Sequence, residues 1–298
     1  MNWLQLRLRA VSEWPNLDLS ARERSDMPYR HAYLYILALF PLVGLAFWPG
    51  YFSIFSTVPF ALHAHGAAGT LWIGMLAAQS WLIHEDRRDL HRQLGIASLA
   101  LFPFFVAASA AVSVLMAQQF ASKSSPFDVA YDPRLGLGSV GLVAGFAYCY
   151  WQALRWRRKV HPHSRYMLST VLFLLPPILE RLYRFVPFLQ VRGPQDFWKF
   201  ALDIQIANAL AVAVAFCLAW RSGKHGRPFM EAGAVILIND VLLQTVGVTT
   251  RWRGLYAHLA SVPLPAFAFA AGVAGIIVAY SGWLAGKGPT RRVGMAPA

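Results

Sequence analysis

The stretch LGIASLALFPFFVAASAAVSVLMA, residues 94–117, decides how this chain folds. It contains no charged side chain, and as a helix rising about 1.5 Å per residue it outspans a hydrocarbon core about 30 Å thick. Seven further apolar segments lie around it, at 32–49, 59–83, 135–154, 166–188, 199–220, 229–248 and 260–285. Asn239, Asp240 and Gln244 make the segment at 229–248 the least apolar of them. The expectation is an all-α, polytopic transmembrane helix bundle of about eight spans, occupying residues 32–285.

Composition agrees. Of 298 residues, 57% are hydrophobic and only 14% charged, where a soluble domain carries about a quarter charged. A net charge of +13 would suggest nucleic acid, but its distribution argues against that partner and for a lipid bilayer. Residues 1–31, 84–93, 155–165, 221–228 and 286–298 hold 19 Lys and Arg, whereas 118–134, 189–199 and 249–258 hold six. Basic loops mark the cytoplasmic side of a membrane protein, which puts both termini there.

The segment 1–31 has five arginines and no long apolar run, so it is not a signal peptide. Trp3, Leu4, Leu8, Val11 and Trp14 recur near helical spacing, so it reads as a membrane-surface helix or a cytoplasmic segment. Residues 286–298 read as a cytoplasmic tail. Cys149 and Cys217 are the only cysteines, and neither CxxC, CxxCH nor a P-loop occurs. The basic run Arg87–His91 is echoed 70 residues later by Arg157–His161, through hairpin duplication or a shared orientation rule.

Ionisable side chains inside a bilayer are costly, so each is a candidate for function. Helical rise puts His63 and His65 roughly 6–9 Å below the outer surface, with Asp203 and Gln205 at a similar depth and Glu180 about 8 Å down. Asp240 falls near mid-membrane. Histidine and carboxylate side chains are ligands of zinc and iron, and imidazole also suits copper. His63, His65, Glu180, Asp203 and Asp240 are therefore the candidate metal ligands.

A purely structural network is the alternative, with Glu180 and Arg184 paired at i, i+4 and a kink at Pro176–Pro177. His63 and His65 also point about 200° apart on a straight helix, so joint ligation needs a distortion there. At the inner boundary, His91 and His163 precede the third and fifth spans and are candidate axial ligands of a haem b. A stacked pair of haems does not fit, because His65 and His84 stand about 28 Å apart along their helix.

His63-Ala64-His65-Gly66, Trp72, Gln79-Ser80 and Leu90-His91-Arg92-Gln93-Leu94-Gly95 resemble a bacterial family of multi-pass membrane proteins without a settled activity. His163-Ser164-Arg165-Tyr166-Met167 and Gly226-Arg227-Pro228 are similar to the same family, the likeness covering most of residues 32–258. It implies the bacterial cytoplasmic (inner) membrane. A fainter likeness links the boundary histidines to cytochrome b561-like haem proteins, from which this chain departs in histidine spacing. Three functions stay open. One is a metal (Fe, Zn or Cu) or haem b protein, with electron transport to a quinone or a respiratory-chain membrane protein. The others are a proton-coupled transporter and a non-catalytic assembly or scaffold subunit.

Overall fold

The computed structural model describes Tyr29 and residues 31–286, and among these the regular structure is entirely helical. The expected surface helix over Trp3–Trp14 and the tail from 287 lie outside the described residues. Each apolar segment contains helix. α1 (Ala32–Leu37) and α2 (Leu39–Phe47) lead into α3 (Phe60–His84), α4 (Arg88–Ser122) and α5 (Pro126–Arg155). α6 (Val160–Leu172), α7 (Leu175–Leu179) and α8 (Phe197–Arg221) follow, then α9 (Arg227–Thr245), α10 (Thr250–Leu259) and α11 (Leu264–Ala285).

Among the described residues, three helices are long and apolar enough to cross a membrane: α4, α8 with the turn from Pro194 before it, and α11. α9 and α10 satisfy the same test only as a pair, and they are bent by 102°. α3 and α5, at 25 and 30 residues, are long enough. Their apolar content is diluted by His63, His65 and Gln79 in α3 and by Asp128, Asp132 and several glycines in α5.

The segment expected at 166–188 is not one helix. Pro176 and Pro177 have no N–H to offer the carbonyls of Leu172 and Phe173 four residues earlier, so α6 ends at Leu172 and α7 restarts at Leu175. α7 then stops at Leu179, and a 3₁₀ turn covers Leu182–Phe185. Pro103 lies inside α4 where that helix crosses α11 closely: a Cβ on Gly275 would come 2.8 Å from the Pro103 Cα. Small residues at such crossings let helix backbones approach.

An aromatic centre joins four helices. Trp72 of α3 is fully buried against Phe146 and Tyr150 of α5, at ring-centre distances of 4.8 and 5.2 Å. Its Nε1–H donates to Thr170 Oγ1 of α6 at 2.9 Å. Tyr150 in turn shares a 2.8 Å hydrogen bond with Ser98 of α4. Each buried polar tip therefore has a partner, as burial of Trp and Tyr requires.

Side-chain contacts define two ends of the bundle. At one, which we call the basic end, His91 meets His163, His161 stacks on His225, and Arg157 Nη1 donates to the Trp283 carbonyl at 2.7 Å. At the opposite end Tyr51 meets His63, and Trp252 Nε1 donates to the Pro133 carbonyl at 2.6 Å.

Candidate functional site

Four of the five candidate metal ligands pair off with separate neighbours, and the fifth, Asp203, does not. α3 runs unbroken through its histidines, so the distortion that joint ligation requires is absent. His63 Nδ1 hydrogen-bonds the Tyr51 hydroxyl at 2.8 Å, and its ring lies 4.4 Å from that of Phe55. His65 turns the other way, toward α4, where it stacks on Phe105 and meets Ser109 Oγ at 3.2 Å. Ser109 already donates its single proton to the Phe105 carbonyl (2.8 Å), so His65 Nδ1–H is the donor in that contact.

Glu180 pairs with Arg181 at 2.5 Å rather than with Arg184. The reason is the end of α7 at Leu179: without a continuing helix, positions 180 and 184 do not share a face. Arg181 also donates to the Pro177 carbonyl at 2.6 Å, one of the backbone groups left over where the helix ends. Asp240 of α9 accepts from Asn208 of α8 at 2.9 Å. Asp203 is buried, with Oδ2 lacking a hydrogen-bond partner. Among the described residues, no group of three or more His, Cys, Asp or Glu stands close enough to hold a metal ion.

The two boundary histidines do come together. His91, one turn into α4, and His163, one turn into α6, have ring centres 6.5 Å apart with planes nearly perpendicular at 87°. His163 Nδ1 lies 2.8 Å from the Ala153 carbonyl of α5, and His91 Nδ1 lies 3.4 Å from the Gln79 carbonyl of α3. A carbonyl only accepts, so each contact places a ring proton on Nδ1 and leaves the Nε2 lone pair of the neutral imidazole uncommitted. This is the arrangement in which a carbonyl orients a metal-binding histidine.

At a metal–nitrogen distance of about 2.0–2.1 Å, two imidazoles on opposite sides of one ion have ring centres roughly 6 Å apart. The pair fits that spacing. Two imidazoles also supply both axial ligands of a haem.

Gln79 braces the pair. Its Nε2 donates to the His91 carbonyl at 3.0 Å, while its own carbonyl takes the His91 ring contact, so one residue fixes both backbone and ring. A Cβ on Gly95 would lie 3.5 Å from that Nε2, in ordinary contact. Sequence reading named Gln79 only within a motif. Its bracing role follows from packing between α3 and α4, which a single sequence does not reveal.

The chain matches no protein-family model, no curated protein and no solved structure. The reading of the site therefore rests on its own geometry.

Proposed function

We propose that this is an integral protein of the bacterial cytoplasmic membrane that holds a haem b or one transition-metal ion between His91 and His163. About eight spans with both termini cytoplasmic put the basic end on the cytoplasmic side. That topology is supported by the coincidence of the apolar segments with helices and by the 19 basic residues on one set of loops against six on the other. The observation that carries the functional reading is the convergence of two imidazoles from different helices, each tied through Nδ1 to a backbone carbonyl.

A bound haem or copper ion would supply one-electron transfer, with a quinone or a respiratory-chain membrane protein as partner. The protein's part is orientation. Ala153 and Gln79 hold the ring tautomers, and Gln79 fixes the start of α4.

The test is iron, copper and zinc per chain, with a visible absorption spectrum, on membranes and on detergent-purified protein. Near-stoichiometric metal is expected, lost in His91→Ala and in His163→Ala while both variants still insert. A metal-free, colourless wild type in membranes would overturn the reading. A proton-coupled transporter is the second reading, favoured by the buried unpartnered Asp203 oxygen and by the Asn208–Asp240 bridge between neighbouring helices. Proton-dependent uptake into proteoliposomes that is lost in Asp203→Asn would establish it.

A further inference from the structure

We infer that a phosphate-binding pocket lies at the basic end, between α6 and the turn before α9, with Arg165 as its floor and His161, Lys224 and His225 as its rim. Arg165 is only 6% exposed. A buried guanidinium is ordinarily paired with a carboxylate, because an isolated charge away from water is costly. Here Nη1 donates to the His161 carbonyl at 3.1 Å and approaches His161 Nδ1 at 3.2 Å. The Tyr29 ring lies 5.2 Å from Cζ, and Nε is buried without a hydrogen-bond partner. No carboxylate among the described residues forms an ion pair with it.

The nearby acid is already committed. Glu231 takes Arg227 at 2.7 Å, Tyr166 at 2.8 Å and Tyr148 at 2.9 Å. What faces Arg165 instead is more positive potential. His161 and His225 stack with centres 4.4 Å apart and planes 8° from parallel. The stacked rings border Arg165, whose fixed charge an anion would relieve.

The turn that carries the rim is held in place. Ser222 Oγ donates to the Leu218 carbonyl at 2.6 Å and also meets the Tyr29 hydroxyl. A Cβ on Gly226 would fall 2.2 Å from the Ala219 carbonyl, so only glycine lets this turn pack so closely on α8. Lys224 and His225 are thus presented from a fixed backbone.

Phosphate suits this donor set better than a carboxylate does. The guanidinium fork fits either anion, but the ammonium and two imidazoles around it can reach the further oxygens of a tetrahedral group. Basic pockets between membrane helices bind phospholipid head groups, and free phosphate offers the same chemistry. The pocket is separate from the histidine pair: residues 163 and 165 lie about 200° apart around a helix, so their side chains leave α6 on different sides. It stands whether or not His91 and His163 hold a metal.

The test follows the thermal unfolding of detergent-purified full-length protein with two probes, inorganic phosphate and short-chain phosphatidylglycerol. Sodium chloride at matched ionic strength and short-chain phosphatidylcholine are the controls. One probe should raise the midpoint beyond its control, and the half-saturating concentration should rise at least about tenfold in Arg165→Gln, as loss of a hydrogen bond to a charged group implies. Should that variant not fold, the Lys224→Gln/His225→Gln double variant carries the same expectation. A response to the lipid alone assigns a head-group site, and a response to phosphate assigns a soluble anion. No response beyond the controls, or a response unchanged in these variants, would overturn the proposal. His163→Ala should leave the response intact.

Discussion

The two ends of the bundle handle their polar side chains in opposite ways. Toward the Pro59 end of α3, four of the five candidate ligands find a single local partner: His63 with Tyr51, His65 with Ser109, Glu180 with Arg181, and Asp240 with Asn208, while Asp203 keeps one oxygen without a partner. At the basic end, groups from different helices converge without being neutralised. His91 and His163 bring their rings within 6.5 Å of one another, each tied to a carbonyl through Nδ1, and Arg165 sits among two histidines and a lysine with no carboxylate in an ion pair with it. Pairwise satisfaction is how a helix bundle disposes of polar groups it must bury. Convergence without satisfaction leaves binding capacity, and for that reason the functional assignment falls at the basic end.

Glu180→Ala should produce the largest effect on stability. It strips Arg181 of its carboxylate, but the guanidinium is more than a third exposed, so the cost should be about 1–2 kcal/mol, below the range for a fully buried pair. Reversible unfolding in mixed detergent micelles measures it, and metal or haem content per folded chain should not change. Loss of the bound group with stability intact would break the contrast between the two ends.

His65→Phe should sit near the other extreme. Ser109 keeps its bond to the Phe105 carbonyl, and the new ring can still stack on Phe105, so the cost should stay near that of one neutral hydrogen bond, about 1 kcal/mol or less. A loss several times larger, or loss of a bound metal, would mean that His65 does more than its hydrogen bond to Ser109 indicates.

Much of the helical layout was legible from the run of apolar segments, because each is bounded by charged or Pro-rich loops. The pairing of His91 with His163 was legible too, since both stand at the same boundary just before a segment. The opposite half was less readable, and the reason is physical. Depth along a helix can be counted from the sequence, but partnership also depends on rotation about the axis and on which helix lies alongside. His63 and His65 share a depth and diverge because residues two apart face opposite sides. Glu180 and Arg184 share the spacing of a helical pair, but the Pro176–Pro177 break and the end of α7 remove the common face. Arg165 was countable as a loop cation, and its i, i+4 relation to His161 was the available signal that the two share a face.

The smallest effect concerns pH and tests the positive field at the basic end directly. His161 and His225 have folded-state pKa values below the ordinary imidazole value, through burial and the nearby charges of Arg165 and Lys224. Above about pH 7.5 both are neutral in the folded chain and nearly so in the unfolded chain, so they contribute almost no pH dependence there. As pH falls below that, the unfolded chain takes up protons that the folded chain resists, and stability declines until the folded histidines also protonate. The unfolding midpoint should therefore be nearly flat from about pH 8.5 to about 7.5 and fall below it, with a shallower fall in Lys224→Gln. Both groups lie near water, so the decline should be modest. A slope identical in wild type and Lys224→Gln would place its origin outside this cluster, and the contrast drawn between the two ends would lose its electrostatic half.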